Sequence, residues 1–137
     1  MTTEIQGGTV ARHCKPSTLD AGQPKASCFT LRKDRDEREL SVYLLDYFRN
    51  PTEKENVIAV KQLMEKQGFK FGLTSTFATL DIDESKRYIL AEIAQKIVYR
   101  QTGTPPHCSL FHQYHNDLLV AKLLSKCGKN CYSVKQL

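Results

Sequence analysis

Phe29 and Leu31 alternate with polar neighbours in residues 27–32, and residues 40–44 alternate again. A period of two marks a half-buried strand. Residues 26–32 and 39–45 are therefore expected to form a β-hairpin across the charged run 33–38. Leu40, Tyr43, Leu44, Tyr47 and Phe48 also fit a period of 3.6, so a helix over 37–49 competes. A strand leading into a helical turn near 46–49 reconciles the two patterns.

Farther along the chain the period lengthens. Val57, Val60, Leu63, Met64 and Gln67 trace one face, with Pro51 before them and Gly68 after, which predicts a helix over 52–67. Ala78, Leu80 and Ile82 share one parity, so 69–82 reads as extended. Tyr88, Ile89, Leu90, Ile93, Ala94, Ile97 and Val98 then predict a second helix over 84–101, capped by Asp83 or Ser85. Residues 107–112 read as a short buried strand. Asn116 is a good cap for a third helix over 117–127, apolar on most sides. Residues 131–134 offer a last short strand. The order β-β-α-β-α-β-α-β predicts an α+β fold, with a small mixed β-sheet that opens on a hairpin. The first two helices are expected on one face of that sheet. Pro16, Gly22 and Pro24 make 10–25 read as loop. Residues 1–9 read as a flexible leader, and 10–137 as a single domain.

Composition adds limits. The chain has 137 residues, 40% of them hydrophobic and 26% charged, ordinary values for a folded domain. It holds no apolar run of the roughly 20 residues that a membrane span needs, and its first residues lack the pattern of a signal peptide. A cytoplasmic protein is expected, with no membrane contact. Cys14, Cys28, Cys108, Cys127 and Cys131 are odd in number and irregular in spacing, so reduced thiols are expected. The net charge is +5. Residues 104–137 hold four lysines against Asp117 alone, together with His107, His112 and His115.

Four groupings could carry chemistry. His107, Cys108, His112, His115, Cys127 and Cys131 are metal-ligand types, but the helix between His115 and Cys127 would span roughly 16 Å. Packing explains Cys127 better, and no metal or other cofactor is assigned. Arg12-His13-Cys14 could meet His107-Cys108, where Cys14 with His107, or Cys108 with His13, would form a nucleophile–base pair. Residues 74–76, downstream of Arg12, slightly resemble ADP-ribosyltransferases. That family's catalytic Glu comes later in the chain, whereas Glu37-x-Glu39 comes earlier here, and β-propensity accounts for the hydroxyls. Lys122, Lys126 and Lys129 with Tyr132 could neutralise phosphates and stack on a base. Phosphate-loop, dinucleotide-binding, HExxH and GxSxG motifs are missing from the sequence. The leading expectation is a small binding or accessory protein acting through a surface or cleft without catalysis. Its partner would be another protein or a second copy of itself as a homodimer. A Cys/His enzyme and a nucleic-acid-associated protein are the alternatives.

Overall fold

The computed structural model describes residues 3–32 and 38–137. The run 33–37, expected to be an exposed turn, lies outside the described residues. The fold is α+β, built on a seven-stranded antiparallel sheet with a separate two-stranded ribbon. Strands are β1 (Thr3–Glu4), β2 (Thr9–Cys14), β3 (Leu19–Asp20), β4 (Gln23–Pro24), β5 (Leu40–Leu44), β6 (Thr76–Asp81), β7 (Val98–Gln101), β8 (His107–Phe111) and β9 (Cys131–Ser133). Helices are α1 (Glu53–Lys66), α2 (Ile82–Ile93) and α3 (Asp117–Lys126). The sheet runs β1-β7-β8-β5-β2-β6-β9, and β3 pairs with β4. Every pairing among the described residues is antiparallel, so the expected mixed sheet is an antiparallel one.

Helix ends follow local chemistry. The Thr52 side chain accepts from the Glu55 N–H and caps α1, and Asn116 caps α3 through the Leu119 N–H. The middle helix departs from expectation at both ends. Asp81 caps it, and Ala94 in the left-handed region ends it before a separate strand begins at Val98. The apolar positions Ile97 and Val98 therefore serve a loop and β7 rather than a last helical turn.

Two cores flank the sheet. On one face Val57, Val60 and Met64 of α1 pack against Ala11, Tyr43 and Phe77. On the other, Ile82 and Ile89 of α2 and Val120 and Leu124 of α3 pack against Val10, Val42, Leu80 and Tyr99. The first two helices therefore lie on opposite faces, contrary to the sequence expectation. Around β2 both faces of the sheet are covered. This explains why β2, read from sequence as loop, is a central strand: Val10 and Cys14 enter one core while Ala11 enters the other.

The expected hairpin of 26–32 with 39–45 does not form. Ala26–Cys28 is a 3-10 turn, and β5 pairs instead with β2 and β8. The reconciling half of that reading holds, because β5 runs directly into a 3-10 turn at Leu45–Tyr47. Thr3–Glu4, placed by sequence in the leader, pairs with β7 at the sheet edge.

Candidate functional site

Cys14 and Cys28 form a disulfide, with 5.4 Å between their Cα atoms. This corrects the expectation of reduced cysteines. The bond ties the end of β2 to the 3-10 turn that lies against α3, and its two residues are 1% and 3% exposed. Cys108, Cys127 and Cys131 are free thiols. Burial pushes Cys108 and Cys127 up to about 11 and raises Cys131 as well. Raised thiol pKa values oppose the thiolate that a nucleophile needs.

Strand parity decides the proposed Cys/His pairs. Cys14 and Cys108 face the core of α2 and α3. His13 packs on Phe71 and Phe77, and His107 meets the Tyr43 ring edge-on at 5.5 Å, all on the α1 side. Cys14 with His107, and Cys108 with His13, would each have to reach through the sheet, and the structure brings neither pair together. Arg12 is held by main chain: Nη1 donates to Ser41 O at 2.7 Å and Nε to Cys28 O. His107 Nδ1 lies 2.9 Å from Thr102 O.

An acid–imidazole pair does form, between residues the sequence reading left apart. His112 Nε2 lies 3.0 Å from Asp117 Oδ1, and Asp117 Oδ2 accepts the Leu31 N–H at 2.9 Å. His112 Nδ1 accepts the Tyr114 N–H at 3.1 Å, so the ring proton sits on Nε2 and points at the carboxylate. Both ring nitrogens are engaged, and neither faces a nucleophile. The pair fastens the end of β8 and the start of α3 to the 29–31 segment. No group of three or more His, Cys, Asp or Glu among the described residues could hold a metal ion.

The basic C-terminal set is divided. Lys122 and Lys126 are exposed on α3. On the opposite side of the sheet, the Tyr132 OH donates to Glu53 Oε1 at 3.0 Å. Lys129 Nζ lies 3.5 Å from Glu53 Oε2, and the Asn130 amide donates to Oε1 at 2.8 Å. Glu53 opens α1, where the helix dipole favours a carboxylate, and it gathers Lys129, Asn130 and Tyr132 around one side chain. Its role was hidden in the sequence because Asn130 and Tyr132 lie more than seventy residues away.

A larger opening lies beside β9. A cleft of about 580 Å3 is floored by Thr76, Cys131 and Ser133. One wall is the β3–β4 ribbon, turned by Ala21 (φ 51) and Gly22 (φ 80); paired positive φ angles suit a two-residue turn. The Cys131 thiol donates weakly to Gln23 Oε1 across the cleft, at 3.8 Å. The other wall is Leu73, Thr74, Lys135 and Gln136. Leu73 is 66% exposed on the rim.

β9 is an edge strand. Thr79 N–H donates to Asn130 O, and Val134 N–H donates to Ser75 O. In an antiparallel ladder alternate residues bond inward, so the peptide groups of Cys131 and Ser133 point away from β6. The Ser133 N–H is met by Gln136 Oε1 at 3.3 Å. No family model matches the chain, and no curated protein or solved structure is significantly similar to it.

Proposed function

We propose that this is a small binding protein, acting without catalysis, that takes an extended segment of a partner protein in the cleft beside β9. The observation that carries the reading is an edge strand whose outward main chain borders an open cleft with an exposed Leu73 on its rim. An added strand would gain main-chain hydrogen bonds from Cys131 and side-chain contacts from the cleft walls. Lys135 gives the cleft a positive charge and favours a segment bearing an acidic residue.

The chemistry elsewhere gives catalysis less support. Cys14 is consumed in a disulfide, and burial raises Cys108 and Cys127. Among the described residues no helix is long and apolar enough to cross a membrane. The proposal puts the protein in the cytoplasm, a compartment that seldom keeps a structural disulfide such as Cys14–Cys28.

Panning a random-peptide library against the folded protein tests the reading. Selected peptides should share an extended, alternating pattern. Their amide shift changes should centre on residues 73–76 and 131–136, and Leu73→Asp should weaken them about tenfold. Peptides that map elsewhere, or that ignore Leu73→Asp, would contradict it. A concentration-dependent dimer lost with Leu73→Asp would make the occupant a second copy of this chain.

A further inference from the structure

The disulfide closes the segment that builds one wall of the β9 cleft. Pro16, Leu19, Gly22 and Gln23 line that cleft, and all four lie between Cys14 and Cys28. The β3–β4 ribbon pairs with no strand of the seven-stranded sheet. Among the described residues its hydrogen bonds stay within 15–25, except for the weak Cys131 thiol bond to Gln23. Leu19 is partly buried against the core of α2 and α3, whereas residues 20–23 are exposed. The wall therefore depends largely on its two ends, and the disulfide joins them.

We infer that the Cys14–Cys28 bond is a redox switch on this cleft. Oxidised, it holds the ribbon as a wall; reduced, it frees the ribbon and weakens peptide binding. The inference rests on the peptide reading of the cleft. Where a compartment keeps thiols reduced, a disulfide serves sensing more often than structure. An opening of about 160 Å3 reaches the 3-10 turn and is bordered by Ser27 and Cys28. Both cysteines are buried, so attack proceeds through a local opening of that turn. Arg12, Lys15 and Arg32 border the same opening, and positive charge favours the thiolates of exchange. The reductant is a dithiol. One of its thiolates attacks the Cys28 sulfur, the Cys14–Cys28 bond breaks, and Cys14 leaves as a thiolate that takes up a proton. The second thiolate attacks the reductant's own sulfur in the mixed disulfide and releases Cys28, which is protonated in turn. Two electrons pass to the protein, and the reductant ends as a disulfide. Buried Phe29 and the Leu31 N–H bond to Asp117 hold the chain beyond the turn, so the rest of the fold stays in place. Without the cross-link the ribbon regains freedom, and a peptide must order its wall on binding.

The test follows the full chain, oxidised and then reduced with dithiothreitol. It reads residue-resolved hydrogen exchange and the affinity of a peptide selected on the oxidised form. On reduction the Lys25 N–H, bonded to Thr18 O across the base of the ribbon, should exchange about tenfold faster. The Tyr132 N–H in the β6–β9 ladder should stay protected. Peptide affinity should fall about tenfold and return on reoxidation. Cys14→Ala/Cys28→Ala should match the reduced protein and ignore dithiothreitol; if that variant fails to fold, the reduced and reoxidised parent chain decides. The exchange readout needs no peptide, so the two readings fail separately. Peptides that map away from the cleft would sink the peptide reading, whereas unchanged Lys25 exchange on reduction would overturn the switch alone. Equal affinity in the two redox forms would overturn it too, as would a bond that dithiothreitol opens only when the chain unfolds. Loss of protection throughout the sheet would make the bond a staple of the whole fold and likewise end the inference.

Discussion

Reducing the Cys14–Cys28 bond should destabilise the fold by about 3 kcal/mol, the value expected when a disulfide closing a loop of this length is opened. The sequence separation is 14. Domains of this kind have a total stability of roughly 5–15 kcal/mol, so the loss is a large share. With a urea m-value of about 1–3 kcal/mol/M, the midpoint should fall by roughly 1–3 M. The oxidised protein, the protein with reductant present, and a Cys14→Ala/Cys28→Ala variant would be compared by circular dichroism. The alanine pair removes the bond without burying a polar group. Under denaturing, non-reducing conditions alkylation should find only Cys108, Cys127 and Cys131. Labelling of all five cysteines, or coincident melts with and without reductant, would refute the reasoning.

Acid should destabilise the protein through His13. Its pKa is about 4 when folded, against an ordinary value of 6.5, so between those values only the unfolded chain takes up the proton, and stability falls as pH falls. The full shift corresponds to roughly 3 kcal/mol, which partial solvent contact reduces to about 1–2 kcal/mol; His13→Gln should flatten this part of the curve. Asp117→Ala strands the Leu31 N–H and His112 Nε2 and should cost about 2–4 kcal/mol by urea melt, leaving peptide binding intact; a cost below about 0.5 kcal/mol would remove the pair from the account of stability. Gly8→Ala should cost about 1–3 kcal/mol, because Gly8 sits at φ +110 and a Cβ there would lie 2.8 Å from Asp46 Oδ1, the atom that accepts the Thr9 N–H. A melt matching that of the parent protein would show that the turn accommodates the methyl.

The parts of the fold that were legible in the sequence are those set by local chemistry. Thr52, Gly68 and Asn116 punctuate α1 and α3 where capping physics places them. β2 was hidden because residues 9–14 are covered on both faces and show no alternation. Ile97 and Val98 continue a helical period only by coincidence, since nothing in the local pattern records that Ala94 turns the chain. The disulfide had one visible sign, two cysteines bracketing a Pro- and Gly-containing stretch, which compartment logic outweighed. The site was less legible still. Parity along β2 and β8 was readable and would have set His13 and Cys108 against each other had both been assigned as strands. Glu53 and the β9 cleft depend on residues brought together from opposite ends of the chain.

The central claim is that β9 presents its outward main chain to a peptide. Residue-resolved hydrogen exchange tests it most directly. The Cys131 N–H points away from β6 and should exchange rapidly in the free protein, while the Tyr132 N–H in the β6–β9 ladder is protected. Adding a selected peptide should slow Cys131 strongly and leave the β5 amides unchanged. Continued fast exchange at Cys131 with the peptide bound would contradict strand addition at this edge.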